Sequence, residues 1–184
     1  SRPVVIDGQG HTISGDSTSN SGIRNNGILL LLKSSDVTIE NVTIKSPESD
    51  NAVGINVYGG GYKGIVIDNV TCENTRYGVY VNGKDSEVTI TNSTFRNLPN
   101  GIAVEGAAVI TDSTFSNISN NYIEVGAEST FNSEEYIGEN TYDHPAAIYK
   151  NSIKPAVAKI GDRYYYTLSK AVEAAAPGVT ITMI

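Results

Sequence analysis

The chain has 184 residues, a formal net charge of −7 and a pI near 4.8. That length fits one domain with room for an appendage. The acidic balance, with no basic patch to neutralise phosphates, excludes nucleic acid as the expected partner and argues against anionic lipid surfaces.

Charged residues make up only 18%, while Asn, Ser, Thr, Gly and Tyr are plentiful, a composition that points to an extracellular β protein. The one cysteine, Cys72, rules out an internal disulfide framework. Neighbouring repeats place Ile44, Phe95 and Phe115 where Cys72 falls, so it is predicted to be a small buried hydrophobe. The longest apolar run, Ile28 to Leu32, is too short to cross a bilayer, and no membrane insertion is expected. No leader-like segment opens the chain, and Ser1-Arg2-Pro3 starts abruptly before a strand, as in a mature or trimmed fragment.

In chain order, Val4-Val5-Ile6-Asp7-Gly8-Gln9-Gly10-His11-Thr12-Ile13 reads as strand, turn, strand. Asp16 to Asn26 is a Ser/Asn/Gly-rich loop. Ile28 to Leu32 follows as a strand apolar on both faces, and the loop before it is the nearest cover for its outer face. Then a phrase repeats. Val37-Thr38-Ile39-Glu40-Asn41-Val42-Thr43-Ile44 returns from Ile65 to Cys72, from Val88 to Phe95 and from Ala108 to Phe115, at offsets of 28, 23 and 20 residues. A second phrase sits between the copies: Gly54-Ile55-Asn56-Val57-Tyr58, Gly78-Val79-Tyr80-Val81-Asn82, Gly101-Ile102-Ala103-Val104-Glu105, and Tyr122-Ile123-Glu124-Val125-Gly126.

Repeats of this length, rich in β-branched residues, mark the rungs of a solenoid. Each rung holds three short strands, with alternate side chains turned inward. Stacking makes internal columns of Ile39, Ile67, Ile90, Ile110 and of Ile44, Cys72, Phe95, Phe115. It also makes an amide ladder at the turn of Asn41, Asn69, Asn92 and Asp112. Three of the four Asn-x-Thr/Ser triplets (Asn41, Asn69, Asn92, Asn117) fall on that ladder, so they read as structural rather than as glycosylation sites. Parallel strands joined by right-handed connections give an all-β, right-handed parallel β-helix of about five to seven rungs.

After Gly126 the pattern weakens. Ser129-Thr130-Phe131, Tyr136-Ile137 and Ala147-Ile148-Tyr149 are read as strands of a final irregular rung. From Ala156 the character changes to a hairpin around Gly161-Asp162. A short helix capped by Thr167 follows, with Leu168, Ala171, Val172 and Ala175 on one apolar face. Pro177-Gly178 ends it, and Val179 to Ile184 is a last strand. The expected division is 1–155 for the coil and 156–184 for a cap-like strand–helix–strand segment.

The phrases Ile-Asp-Gly-Gln-Gly-His-Thr-Ile and Val-Thr-Ile-Glu-Asn-Val-Thr-Ile resemble the pectate-lyase-like superfamily of right-handed parallel β-helices, over roughly Val4 to Val125. The tail resembles the capping helix and first strand that begin such a domain, here placed after one. The resemblance therefore implies one module of a longer bacterial surface protein, or else a cap for this same coil. Head-to-tail contact with another copy or module is a further expectation. In the superfamily's lyases, acidic residues around calcium and an Arg or Lys base lie on the outer face of one sheet.

The matching outward positions here are Asn56, Tyr58, Tyr80, Asn82, Ala103, Glu105 and Glu124. They hold no cluster of three carboxylates. Glu105 and Glu124 are the only catalytic candidates; on adjacent rungs, about 4.8 Å apart, they could hold calcium or act as an acid–base pair. Neither the paired aspartates with Gly-His-Gly of pectin hydrolases nor the Gly-Arg-Pro-Trp of pectin esterases is present, and nothing makes His11 or His144 a ligand. No metal site and no cofactor is predicted beyond that calcium option.

An aromatic face of Asn56, Tyr58, Arg76, Tyr77, Tyr80 and Asn82 suits the stacking of sugar rings better, with Tyr58 and Tyr80 at similar positions on neighbouring strands. The sequence thus points to a non-enzymatic module of a secreted or cell-surface bacterial protein, a stalk or adhesin contacting glycans. A polysaccharide lyase or glycoside hydrolase is the alternative.

Overall fold

A computed structural model describes residues 2–15, 27–47 and 51–184. The repeated phrase coils as its spacing demands. In the first turn Val4–Asp7 is β1, Thr12–Ser14 is β2 and Ile28–Leu32 is β3. The second turn is Val37–Lys45 (β4) and Val53–Val57 (β5); the third is Ile65–Glu73 (β6) and Tyr77–Val81 (β7). Glu87–Thr91 (β8) and Thr94–Val104 (β9) make the fourth, and Ala107–Thr111 (β10) and Thr114–Val125 (β11) the fifth.

Every neighbouring pair from β1 to β11 is parallel, with one register shift in the β9–β11 pair between Ile118 and Asn121. Ile6, Ile39, Ile67, Ile90 and Ile110 form one inner column, and Ile13, Ile44, Cys72, Phe95 and Phe115 another. The inner residues from Ile39 and Ile44 onward are completely buried.

The corners explain the asparagines. Asn41, Asn69, Asn92 and Asp112 all take positive φ, between 49° and 54°. Asn and Asp tolerate this conformation because their short polar groups hydrogen-bond locally. Asn69 donates to Asn41 Oδ1 at 2.8 Å and Asn41 to Asp7 Oδ1 at 3.1 Å, so the expected ladder exists over the first three turns. At the fourth it changes partner: Asn92 donates to Asp68 Oδ1 (2.8 Å), not to Asn69. Ser93 and Ser113, buried where earlier turns have Val70 and Val42, bridge the turns instead. Val70 N donates to Ser93 Oγ and Ser93 N to Ser113 Oγ, both at 3.2 Å.

A second corner of the same kind was not foreseen. Asn74, Asn97 and Asn117 have φ of 59°, 58° and 51°, and Asn117 donates to Asn97 Oδ1 at 2.8 Å. At these corners β9 and β11 run on into the third sheet as continuous strands, so two expected strands are one.

The leading glycine of the Gly-apolar phrase makes room for the ring of the following turn. A Cβ on Gly78 would lie 2.6 Å from Phe95 Cδ1, and one on Gly101 would lie 2.8 Å from Phe115 Cδ1. Phe95 and Phe115 stack at 5.1 Å, and Phe115 stacks on Tyr142 at 5.5 Å.

The last turn departs from expectation. Tyr142, on Thr141–Tyr142 (β12), succeeds Phe115 in the column, whereas 129–131 is not a strand. Ser133–Tyr136 forms a helical turn, α1, with Asn132 as its cap, in place of the strand expected at Tyr136-Ile137. Ala146–Tyr149 (β13) is a strand as read, but it pairs antiparallel with Ser152–Pro155 (β14), which pairs antiparallel with β11 at Ile123 and Ile153. Phe131 is buried, and Tyr136, Tyr142 and Ile148 pack on the core, closing the coil there.

The tail is a separate three-stranded antiparallel sheet of Ala158–Ile160 (β15), Arg163–Tyr165 (β16) and Thr182–Met183 (β17), with helix α2 at Leu168–Ala174. Thr167 caps α2 by accepting from Lys170 N. Of the apolar face expected there, Ala171 is buried, but Leu168 and Val172 are exposed. No tail residue belongs to the core cluster, among the described residues. The loop expected to cover β3 lies in residues 16–26, outside the described residues.

Candidate functional site

The third sheet, β3, β5, β7 and the second halves of β9 and β11, carries the predicted site. Its register sorts the outward residues into columns. Asn56, Tyr80, Ala103 and Glu124 stand in one. Tyr58, Asn82, Glu105 and Gly126 stand in the next, fixed by Asn82 N donating to Val57 O, Glu105 N to Val81 O and Gly126 N to Val104 O.

Two expectations change as a result. Tyr58 does not partner Tyr80; Asn82 is beside Tyr58, and Asn56 beside Tyr80. Glu105 and Glu124 are not stacked either: Ala103 is beside Glu124, and the Glu105 carboxylate lies against Gly126, where a Cβ would come within 2.1 Å of it. The two acids are a diagonal apart, two positions along the strand.

The aromatic pair that does form is Tyr77 with Tyr80. Their rings stack at 5.4 Å with planes 23° apart, and the Arg76 guanidinium sits 5.4 Å from the Tyr77 ring. Tyr77 stands in register with Val53 and Asn100 at the start of the sheet and is half-buried. Burial, then the Glu124 carboxylate, push the Tyr77 hydroxyl's pKa up. Burial, then Glu105, do the same for Tyr80. Both rings therefore stay protonated donors beside carboxylate acceptors across the neutral range.

The other predicted residues scatter. Tyr58 is exposed, with the Lys33 ammonium 5.3 Å over its ring. Asn56 is 5% exposed, and its Oδ1 is buried with no hydrogen-bond partner, so it lies beneath the face rather than on it. Asn82 is half-buried beside Tyr58. His11 Nδ1 contacts Gly8 O, and the His144 backbone carbonyl accepts from the Tyr122 hydroxyl.

A groove of about 750 Å³ runs along the coil beside the tyrosine pair, lined by Arg76, Tyr77, Asn100, Asn121, Glu124 and Lys154. Its floor is a buried amide pair: Asn121 Nδ2 donates to Asn100 Oδ1 at 2.7 Å, and the Lys154 ammonium donates to Asn121 Oδ1. Tyr166 of the tail closes the far end, with Lys154 5.8 Å from its ring. Sequence reading missed Asn100 and Asn121. Their signal was available, since each directly precedes a third-sheet phrase, where Tyr77 stands one turn earlier. Lys154 had no signal, because it lies on the antiparallel strand outside the repeat. Among the described residues no three His, Cys, Asp or Glu side chains converge to hold a metal ion.

Such a groove offers planar apolar faces, amides, a carboxylate and two cations on one rigid wall. Such a lining can stack against a flat apolar face and hydrogen-bond polar groups beside it. A family model described as a right-handed β-helix region matches residues 26–157, while no curated protein and no solved structure matches the chain.

Proposed function

We propose that this chain, which belongs to the right-handed β-helix family, is a non-enzymatic module of a secreted or cell-surface bacterial protein, a stalk or adhesin that contacts glycans. The observation that carries the reading is the Tyr77–Tyr80 stack, flanked by Arg76 and Glu124 on the wall of the groove. The low content of charge and the abundance of Asn, Thr and Tyr support an extracellular setting. The diagonal placement of Glu105 and Glu124 speaks against their working as an acid–base pair.

A glycan array followed by titration calorimetry tests the proposal. Tyr77→Ala and Tyr80→Ala should each weaken binding by about tenfold, the worth of one stacked ring, while Tyr58→Ala should leave it unchanged. Equal effects at all three tyrosines, or no glycan bound, would refute it. Incubation with acidic and neutral polysaccharides, with and without calcium, checks the enzymatic alternative. Turnover abolished by Glu105→Gln or Glu124→Gln would replace the binding role with catalysis.

A further inference from the structure

The closest pair of rings among the described residues is not the tyrosine stack of the groove. Tyr149 and Tyr166 lie face to face, with 3.9 Å between centroids and 28° between planes. Tyr122 and Tyr142 are 4.6 Å apart, and Tyr77 and Tyr80 are 5.4 Å apart. Tyr149 ends β13, in the irregular turn that closes the coil, and Tyr166 follows β16 in the tail. The pair therefore spans the junction of the two parts.

The two hydroxyls meet. Hydrogen bonding from the Tyr166 hydroxyl, then the Lys150 ammonium, pull the Tyr149 pKa down, and Tyr149 pushes that of Tyr166 up. Stacked rings whose hydroxyls meet lie oxygen beside oxygen, so the carbons ortho to each hydroxyl face one another. Lys150 lies 5.4 Å from the Tyr149 ring and Lys154 lies 5.8 Å from the Tyr166 ring, so cations flank the pair. A lowered pKa brings the Tyr149 phenolate closer to hand, and a phenolate gives up an electron more readily than a phenol.

The other tyrosine pairs lack part of this arrangement. Tyr122 is fully buried, out of reach of a solute. Burial, then neighbouring carboxylates, push the hydroxyls of Tyr77 and Tyr80 the opposite way, towards the protonated form. Tyr149 and Tyr166 are half-buried and border a cleft of about 550 Å³ with Arg163 and Lys170 on its wall. Among the described residues no tail residue belongs to the core cluster, and the single cysteine, buried in the coil, offers the tail no disulfide.

We infer that Tyr149 and Tyr166 form a site of oxidative cross-linking, joined by a carbon–carbon bond when the protein meets hydrogen peroxide and a peroxidase. Each phenol gives up one electron and one proton, and together they reduce one peroxide to two waters. The two phenoxyl radicals couple at carbons ortho to oxygen. The hydrogens on those carbons then move to the oxygens and restore two phenols, so the product is lighter by two hydrogens. The link ties the tail to the coil and restrains the unfolded chain as a disulfide does.

Treating the whole chain, in dilute solution, with a peroxidase and hydrogen peroxide tests this. Peroxide is raised until the exposed Met183 is converted to its sulfoxide, which shows that oxidant has reached the protein. Tandem mass spectrometry of a digest should then find Tyr149 joined to Tyr166, two hydrogens lighter, in protein that remains monomeric on a denaturing gel. Tyr149→Phe and Tyr166→Phe, which keep the stacked rings, should each abolish the link, and Tyr80→Phe should leave it intact. Sulfoxide at Met183 with no Tyr149–Tyr166 link overturns the inference. A link formed instead between Tyr77 and Tyr80, or between molecules, overturns it equally.

Discussion

Replacing Phe95 with alanine removes the ring at the middle of the aromatic column. Phe95 is wholly buried, stacks on Phe115 at 5.1 Å and fills the space left by Gly78. A buried phenylalanine takes roughly 200 Å² from water. At about 25 cal/mol per Å² that is about 5 kcal/mol, an upper bound because the unfolded chain already hides part of that surface. The cavity left behind adds to the loss, and the measured range for such changes is about 3–5 kcal/mol. Guanidinium titration followed by circular dichroism should therefore show a midpoint lowered by that amount of free energy at unchanged slope. Phe95→Leu should cost only about 1 kcal/mol, because it keeps most of the volume. In a solenoid each turn is stabilised through its neighbours, so the loss weakens both interfaces of the fourth turn. A cost under about 1 kcal/mol for Phe95→Ala would mean that the ring is not in the column.

Three further outcomes follow from the corners and the core. Asn69→Ala forces alanine into a positive φ and deletes the bond to Asn41, so a loss of about 2 kcal/mol is expected in thermal melts. Asn69→Gly should recover about half of it, and equal melting of the two variants would contradict the corner geometry. Hydrogen bonds from Asn92 and then Thr91 hold the Asp68 carboxyl below the usual carboxylate range. Its stabilisation is then present above the unfolded value of about 3.9 and lost as the pH falls through the lower folded value. Asp68→Asn should be less stable than the parent at pH 7 and no less stable at pH values under the folded pKa, as read by denaturant midpoints. A stability gap that does not change with pH would refute the charge's role. Burial pushes the Cys72 thiol up to about 12. It should resist thiol reagents at pH 8 until the protein is denatured, and fast labelling of the folded protein would place Cys72 outside the column.

The coil was legible because the same eight-residue phrase recurs, and each recurrence puts an apolar residue on the same inner column. The asparagine corner was legible for the same reason. The second corner was not, since Asn74, Asn97 and Asn117 look like ordinary loop residues until their positive φ is seen. The last turn misled because Ser129-Thr130-Phe131 copies the phrase without its phase. Tyr122 replaces the leading glycine, α1 intervenes, and the ring that continues the column is Tyr142, 27 residues after Phe115.

At the site, Arg76, Tyr77 and Tyr80 were legible as an outward face, although the aligned Gly phrases already set Tyr58 against Asn82 rather than Tyr80. Asn121 and Lys154 meet only through the antiparallel β14, a pairing that the repeat does not encode.

The stacking of Thr71 directly beside Thr94, one turn apart, is the contact on which the coil stands. Disulfide trapping tests it most directly. In a Cys72→Ala background, Thr71→Cys with Thr94→Cys places two Cα atoms about 4.8 Å apart, inside the range a disulfide spans. Thr71→Cys with Thr114→Cys places them two turns apart, about 9.6 Å, beyond that range. Mild oxidation of the folded protein should cross-link the first pair rapidly and leave the second as free thiols. A second pair that bridges as readily as the first, or a first pair that does not bridge, would contradict the coil.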